Sequence, residues 1–157
     1  MSKLMRQVRE FAETQGFTLN QDVRVKEEYE GAEHLVELLL LQVEKKLEDV
    51  RRDLTEVVGC DLRIDRVHLI VEELGELVHG LAMRDVVETA DGVADLAYVV
   101  TGTAAAFGLP LDALCDEVHA SNMSKDVGGH KPAKGERYFK PDIRRVLESA
   151  MVLRTQR

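Results

Sequence analysis

Apolar residues recur along this chain at alternating steps of three and four, the spacing that places side chains on one face of an α-helix. The run from residue 33 to 58 is the longest, and its apolar positions step by 4, 3, 4, 3, 4 and 3. These positions are Val36, Leu40, Val43, Leu47, Val50, Leu54 and Val57. The pattern predicts a long helix whose seam packs nearly parallel or antiparallel to a neighbouring helix, and Gly59 predicts its end.

Five further segments have the same helical period. They span residues 2–15, 62–83, 86–107, 111–123 and 142–153. Gly16 and Gly108 predict two helix ends, and Arg84–Asp85 is the predicted break between the second and third of these segments. We expect Pro141 at the first position of the last helix, where its missing N–H costs no hydrogen bond. No segment alternates as a strand does, so the sequence predicts an all-α fold, a helical bundle.

Composition agrees with a helical fold in a single domain. Of 157 residues, 45% are apolar, only 4% are aromatic and three are proline, which disfavours a β-sandwich or a β-barrel. Residues 17–31 and 126–140 lack a helical period and are predicted loops. We expect one domain over 1–157, with a core at about 33–125 and a basic loop and helix at 126–157.

Several features indicate a cytoplasmic protein without a membrane partner. No apolar run reaches the roughly 18 residues that a membrane span needs. The first ten residues lack the apolar stretch of a signal peptide. Cys60 and Cys115 lie far apart without metal-ligand spacing, so we interpret them as free thiols in a reducing compartment.

Charge is distributed unevenly along the chain. The formal net charge of −8 disfavours binding to a nucleic-acid polymer. Residues 31–96 hold sixteen acids against seven Lys or Arg, whereas residues 119–157 hold four acids against nine. A functional interpretation is a cation site in the middle of the chain and an anion-holding segment at its end. The alternative is an ordinary solvated surface.

Three acids lie close together on the predicted helix 62–83. At about 100° per residue, Glu72, Glu73 and Glu76 fall within an arc of roughly 100°. Like charges at these spacings repel one another, and no Lys or Arg lies between Arg66 and Arg84 to offset them. Taken alone, this helix is also compatible with an exposed acidic face.

The following helix makes a cation site the better interpretation. Between residues 86 and 111 the only charged residues are Glu88, Asp91 and Asp95, all within about 60° of one another. A helix so poor in charge is expected to be largely buried, and burying an unpaired carboxylate costs several kcal/mol. A divalent cation such as Mg²⁺ resolves this through carboxylate oxygens, and antiparallel packing of the two helices would turn both acidic sets to one cavity. The predicted metal ligands are Glu72, Glu73, Glu76, Glu88 and Asp91.

The order of these motifs resembles that of the all-α nucleoside triphosphate pyrophosphohydrolases, a group that includes MazG-like enzymes, dimeric dUTPases and phosphoribosyl-ATP pyrophosphohydrolases. The similarity covers about residues 62–143 and is greatest to the MazG-like and phosphoribosyl-ATP-hydrolase-like branch. The similar segments are the signature Glu72-Glu73-x-x-Glu76 with Glu88-x-x-Asp91, then Asp95-Leu-Ala-Tyr98, Glu117-Val-His-Ala-Ser-Asn122-Met-Ser-Lys125 and the tail KGERYFKPDI.

The resemblance implies an activity, a cofactor and an assembly. A (deoxy)nucleoside triphosphate and water would give the monophosphate and pyrophosphate with Mg²⁺ or Mn²⁺, in a house-cleaning role for the nucleotide pool, and the protein would be a homodimer or homotetramer. Glu73 is expected to align or deprotonate the attacking water, and Asp95 to bind a second metal or a sugar hydroxyl. The acids expected to hold the metal are Glu72, Glu76, Glu88 and Asp91.

Substrate contacts are expected from residues beyond the acids. Tyr98 is expected to line a base pocket, with core packing as its alternative. Asn122 suits a base edge or a phosphate, with a helix-ending role as its alternative, and Lys125 is a point charge suited to phosphate. The loop residues expected to close over the triphosphate, with a solvated surface role as the alternative for each, are Lys131, Lys134, Arg137 and Lys140. Tyr138 in the same segment is a further expected substrate contact.

Two other functions stay open at this point. Hydrolysis of phosphoribosyl-ATP ranks lower, because the long helix at 33–58 and the extended tail exceed what a minimal member of that family needs. A non-catalytic helical adaptor would use the seam of the helix at 33–58 and would have no turnover.

Overall fold

The computed structural model describes residues 1–17, 19, 33–128 and 131–155. Its helices are α1 (Lys3–Thr14), α2 (Glu33–Thr55), α3 (Leu62–Met83), α4 (Val86–Ala106), α5 (Leu111–Met123) and α6 (Ile143–Thr155). The described residues contain no strand, only one isolated antiparallel bridge between Asp126 and Ala133. The predicted all-α helical bundle is therefore confirmed. Most of the predicted loop at 17–31, and positions 129 and 130 of the other predicted loop, lie outside the described residues.

Local hydrogen bonds explain where α3 and α4 begin. The Asp61 carboxylate accepts a backbone N–H of the first turn of α3 at 2.8 Å. Arg84 ends that helix in the left-handed conformation, with a φ of 55°. Asp85 then caps α4, because its carboxylate accepts two backbone N–H groups of the first turn, at 2.8 and 3.2 Å. The predicted helix at 62–83 and the predicted break after it are both confirmed.

The chain divides into two compact units. One comprises Asp22–Ala106 and holds α2, α3 and α4; the other comprises Met1–Gln21 with Phe107–Arg157 and holds α1, α5 and α6. Among the helices that the structure describes, no single one is long and apolar enough to cross a membrane.

In the unit Asp22–Ala106, α3 contacts both α2 and α4. Two glycines bring α3 and α4 into backbone contact. A Cβ on Gly92 would lie 2.7 Å from the Cα of Leu77, and a Cβ on Gly80 would lie 2.6 Å from the backbone nitrogen of Thr89. Because no side chain larger than hydrogen fits at these positions, the two acid-bearing helices pack as closely as backbones allow.

Arg66 links α3 and α4 at the far end of their contact. Its Nη2 donates to the carbonyl oxygen of Val99 at 2.8 Å, and its Nε donates to the hydroxyl of Thr103 at 3.1 Å. Residues early in α3 thus meet residues late in α4, while the end of α3 meets the start of α4. The two helices are antiparallel, as the predicted metal site requires.

The prediction that α4 is largely buried is wrong. Gly92, Val99 and Ala104 are buried, but Val87 is 71% exposed and Tyr98 is 80% exposed. The physical reason is that α3 is the helix against which α4 packs, so one stripe of α4 is covered and its opposite side faces outward. The apolar, charge-poor sequence of α4 therefore does not reveal how many helices pack against it.

The predicted seam of α2 is only half covered. Its leucines are partly buried, on the side that packs against α3. Its valines are between 39% and 46% exposed: Val36, Val43, Val50 and Val57. The stripe formed by apolar residues at every third or fourth position is wider than the surface that one neighbouring helix covers.

In the unit that holds α1, α5 and α6, polar contacts reinforce the packing of α1 on α5. Asp116 of α5 accepts hydrogen bonds from the Lys3 ammonium at 2.5 Å and the Gln7 amide at 2.7 Å. These bonds lower the pKa of Asp116, with the Lys3 contact the largest cause. α1 therefore contacts α5 through both charged and neutral polar side chains.

The predicted position of Pro141 inside the last helix is wrong. Helix α6 begins at Ile143, so Pro141 lies two residues before it. Asp142 is the capping residue, because its carboxylate accepts the N–H of Arg145 at 3.0 Å. The N–H of Asp142 in turn donates to Glu117 of α5 at 2.8 Å. Proline precedes the cap here and does not open the helix.

Candidate active site

Three carboxylates meet where α3 and α4 face each other. Glu73 and Glu76 lie one turn apart on α3, and Asp95 lies on α4. Each offers one oxygen, and these oxygens all lie within 4.8 Å of one another. We call this group the carboxylate cluster. The antiparallel register produces it, because Gly92 against Leu77 places Asp95, one turn after Gly92, beside residues one turn before Leu77.

The electrostatics of the cluster oppose full ionisation without a cation. Partial burial is the largest cause that raises the pKa of Glu73, followed by repulsion from Glu76, Asp95, Glu72 and Asp91. A divalent cation would remove this repulsion. The donor set consists of carboxylate oxygens alone, which fits a hard ion such as Mg²⁺ or Mn²⁺.

The predicted ligand set is only partly brought together. Glu72 lies next to Glu73 in sequence but turns toward α2, where its carboxylate lies 3.5 Å from Nη1 of Arg51. Glu88 and Asp91 are exposed on α4 and stand outside the carboxylate cluster. Asp95, predicted to contact a second metal or a sugar, lies within it instead.

Arg51 is a functional candidate that sequence reasoning missed. Its Nε and Nη2 donate to the Glu48 carboxylate at 3.0 and 2.8 Å, and its remaining Nη1 faces Glu72. A signal was present in the sequence, because Arg51 lies four residues after Leu47 and three before Leu54. That spacing places the arginine on the apolar face of α2 that meets α3.

A cavity of about 760 Å³ lies between α2 and α3 and reaches the carboxylate cluster through Glu76. Its volume falls in the range typical of small-molecule sites. Its charged lining contains six acids and three Lys or Arg: Glu44, Glu48, Asp49, Glu72, Glu76, Glu88, Lys45, Arg51 and Arg52. His79 also lines it and lies 3.1 Å from Glu44.

Tyr98 and the predicted phosphate-binding residues occupy different units. The Tyr98 ring is too exposed for the core-packing alternative. In the other unit, the Lys125 ammonium donates to the Asn122 amide oxygen at 2.8 Å and lies 5.9 Å from the ring centre of Phe11. Asn122 and Lys125 are therefore hydrogen-bonded to each other, and their contact with substrate stays a prediction.

The tail residues make contacts within their own segment. Lys134 lies 5.1 Å from the ring centre of Tyr138, a cation–π distance. Arg137 lies 3.2 Å from Asp126, and both side chains are substantially exposed. These contacts link described residues of this segment to one another, while closure of the segment over a triphosphate stays a prediction.

Comparison with known proteins identifies the family. A family model described as phosphoribosyl-ATP pyrophosphohydrolase matches residues 40–122, just over half of the chain. The match includes the carboxylate cluster, Arg51 and Asn122. No curated protein and no solved structure matches. The matched family is part of the all-α nucleoside triphosphate pyrophosphatase superfamily. This chain therefore belongs to the phosphoribosyl-ATP pyrophosphohydrolase family, and so to the pyrophosphohydrolases of the MazG-like superfamily.

Proposed function

We propose that the protein is a divalent-metal-dependent hydrolase that converts a (deoxy)nucleoside triphosphate into the monophosphate and pyrophosphate. The observation that carries this proposal is the carboxylate cluster, three oxygen donors from two helices in a chain of a pyrophosphohydrolase family. A bound Mg²⁺ or Mn²⁺ supplies charge neutralisation for the phosphates and polarises the attacking water.

In this proposal the residues of the cluster divide the work. Glu76 and Asp95 would hold the cation. Glu73 orients the attacking water and accepts its proton as the bond between the α- and β-phosphates breaks and pyrophosphate leaves. The position of Glu73 beside Glu76 and Asp95 supports this assignment, because a general base must lie within reach of a water next to the cation. Glu88 and Asp91, one to two turns earlier on α4, are the candidates for a second ion.

Phosphoribosyl-ATP is a second candidate substrate. The family match favours it, because the matched family is described by that activity. Both candidates contain a triphosphate chain, and both reactions release pyrophosphate. The carboxylate cluster therefore serves either substrate, and the choice depends on the surfaces that contact the base and the sugar.

A turnover panel tests the proposal. The protein is incubated with NTPs, dNTPs and phosphoribosyl-ATP, with Mg²⁺ or with a chelator, and the products are identified. We expect pyrophosphate and a monophosphate in the presence of metal only. Release of inorganic phosphate would contradict the assigned reaction. Glu73→Gln should abolish turnover while its circular dichroism spectrum matches the unaltered protein. Absence of turnover with every substrate would favour the helical adaptor.

We also propose that the chain forms a homodimer or homotetramer. The exposed valines of α2 and the exposed apolar residues on the outward side of α4 support this, because apolar residues grouped on a helix face are typical of surfaces that a partner covers. Sedimentation at micromolar concentration tests it. A monodisperse monomer would contradict it.

A further inference from the structure

The cavity between α2 and α3 carries more negative than positive side chains, which opposes the binding of a polyphosphate. Six acids and three Lys or Arg line it, so a triphosphate chain would meet a negative wall. A cation in the carboxylate cluster offsets part of this charge. The phosphates farther from the cluster need a positive side chain that is already held in place.

Arg51 meets that need by its geometry. Glu48 accepts two hydrogen bonds from one edge of the guanidinium, at 3.0 and 2.8 Å, and so fixes the side chain from the same helix. The adjacent edge, which carries Nη1 and the second N–H of Nη2, faces Glu72 through Nη1 at a longer distance of 3.5 Å. Only 36% of the side chain is exposed. Arg51 therefore keeps one edge bound while the other has a weaker contact that an anion can replace.

We propose that Arg51 binds the pyrophosphate portion of the substrate, and of the product, through the guanidinium edge that faces Glu72. This inference rests on the proposed function for the identity of the anion. A guanidinium presents two parallel N–H donors in one plane to two phosphate oxygens, whereas an ammonium is a compact point charge without this fixed geometry. Glu72 then serves as the resting partner of Arg51 and not as a metal ligand.

The next residue in the chain provides a matched control. Arg52 lies on the same helix, lines the same cavity and pairs with an acid three residues before it, Asp49, at 2.8 Å. Its side chain is 65% exposed and its ion pair does not include a signature acid. Loss of either arginine changes the charge of the cavity equally. Only loss of Arg51 removes the guanidinium beside Glu72.

The test uses inorganic pyrophosphate as the probe. Calorimetry with Mg²⁺ present compares the unaltered protein with Arg51→Gln, Arg51→Lys and Arg52→Gln, after thermal melts confirm that each variant folds. We expect Arg51→Gln to weaken pyrophosphate binding at least about tenfold, the effect of losing a charged hydrogen bond. Arg51→Lys should recover part of the affinity, and Arg52→Gln should bind as the unaltered protein does. The substrate KM should rise most in Arg51→Gln, less in Arg51→Lys, and not in Arg52→Gln.

The outcomes separate this inference from the proposed function. Failure of the unaltered protein to bind pyrophosphate, or equal weakening by Arg51→Gln and Arg52→Gln, overturns the role of Arg51. If nucleotide turnover is present but neither KM nor pyrophosphate affinity responds to Arg51→Gln, the function stands and the inference fails. If no nucleotide is hydrolysed but pyrophosphate binding is lost in Arg51→Gln alone, the inference stands and the proposed reaction fails.

Discussion

Gly92 of α4 lies directly against the backbone of Leu77 of α3, so that a Cβ at Gly92 would stand 2.7 Å from the Cα of Leu77. This contact sets the axial register of the two helices. The register in turn brings Asp95 to Glu73 and Glu76. The carboxylate cluster therefore depends on a residue that carries no side chain.

Gly92→Ala should damage both stability and activity. The added methyl group forces α3 and α4 apart, and overpacking of this kind costs about 1–3 kcal/mol. Asp95 moves with α4, so turnover should fall more than the population of folded protein does. The control is Gly75→Ala on α3, where a Cβ meets no atom within 4 Å. Urea unfolding should show Gly75→Ala equal to or more stable than the unaltered protein. Equal stability of the two variants would contradict the register argument.

Asp95→Asn should weaken metal binding more than Asp91→Asn does. Asp95 belongs to the carboxylate cluster, whereas Asp91 is exposed one turn earlier on the same helix. We expect Asp95→Asn to lower Mg²⁺ or Mn²⁺ affinity at least about tenfold. Because an ion that binds only the folded state stabilises it, the shift of Tm on metal addition should also shrink. A larger loss in Asp91→Asn would favour the metal set predicted from sequence spacing.

Asp61 makes stability depend on pH in the acidic range. Hydrogen bonds from Arg63 lower the pKa of Asp61 from 3.8 to about 2, and the side-chain hydrogen bond contributes more than the backbone one. Above 3.8 the carboxylate is ionised in both folded and unfolded chains, so its stabilisation is fully present. It is lost as the pH falls from 3.8 to about 2. Asp61→Asn keeps a capping side chain without this titration. Unfolding measured between pH 2 and 6 should therefore show a shallower acid limb, and an unchanged limb would exclude Asp61 as its source.

Ser121→Ala should destabilise the unit that holds α5. Ser121 is only 3% exposed, and its hydroxyl donates to the carbonyl oxygen of Phe139 at 2.8 Å. Loss of this bond leaves a partly buried carbonyl without its donor, at a cost of about 1–3 kcal/mol. Ser149→Ala is the control, since Ser149 is exposed and donates within its own helix to Arg145. Thermal unfolding should separate the two variants. The prediction fails if both lower Tm equally.

Much of the fold was predictable because helix formation is local. Predicted segments and observed helices agree to within a few residues, and the Arg84–Asp85 break lies where expected. The error in the predicted start of α6 also has a local cause. Pro141 and Asp142 are neighbouring candidates for the helix start, and only Asp142 has a side-chain oxygen that can accept a backbone N–H of the first turn. The family was also visible in sequence, because its acidic motifs are contiguous on single helices.

Burial and site membership were less predictable. The charge-poor sequence of α4 suggested burial, yet Tyr98 is 80% exposed, because sequence composition does not reveal how many helices pack against a given face. Arg51 was overlooked because its partner, Glu72, is 21 residues away in the chain. The periodicity of the sequence assigns each of these residues to a face of its own helix, but it does not predict which helix faces pack against each other.

The sequence by itself determined the all-α fold, the approximate helix boundaries and the acids that two helices carry, since each follows from interactions over a few residues. The tertiary structure decided which acids share a site. A helix can slide along its neighbour by one turn and keep the same apolar face in contact. The contact of Gly92 with Leu77 fixes this register, and so places Asp95 and not Asp91 beside Glu73. The packing of α2 on α3 places the guanidinium of Arg51 beside Glu72.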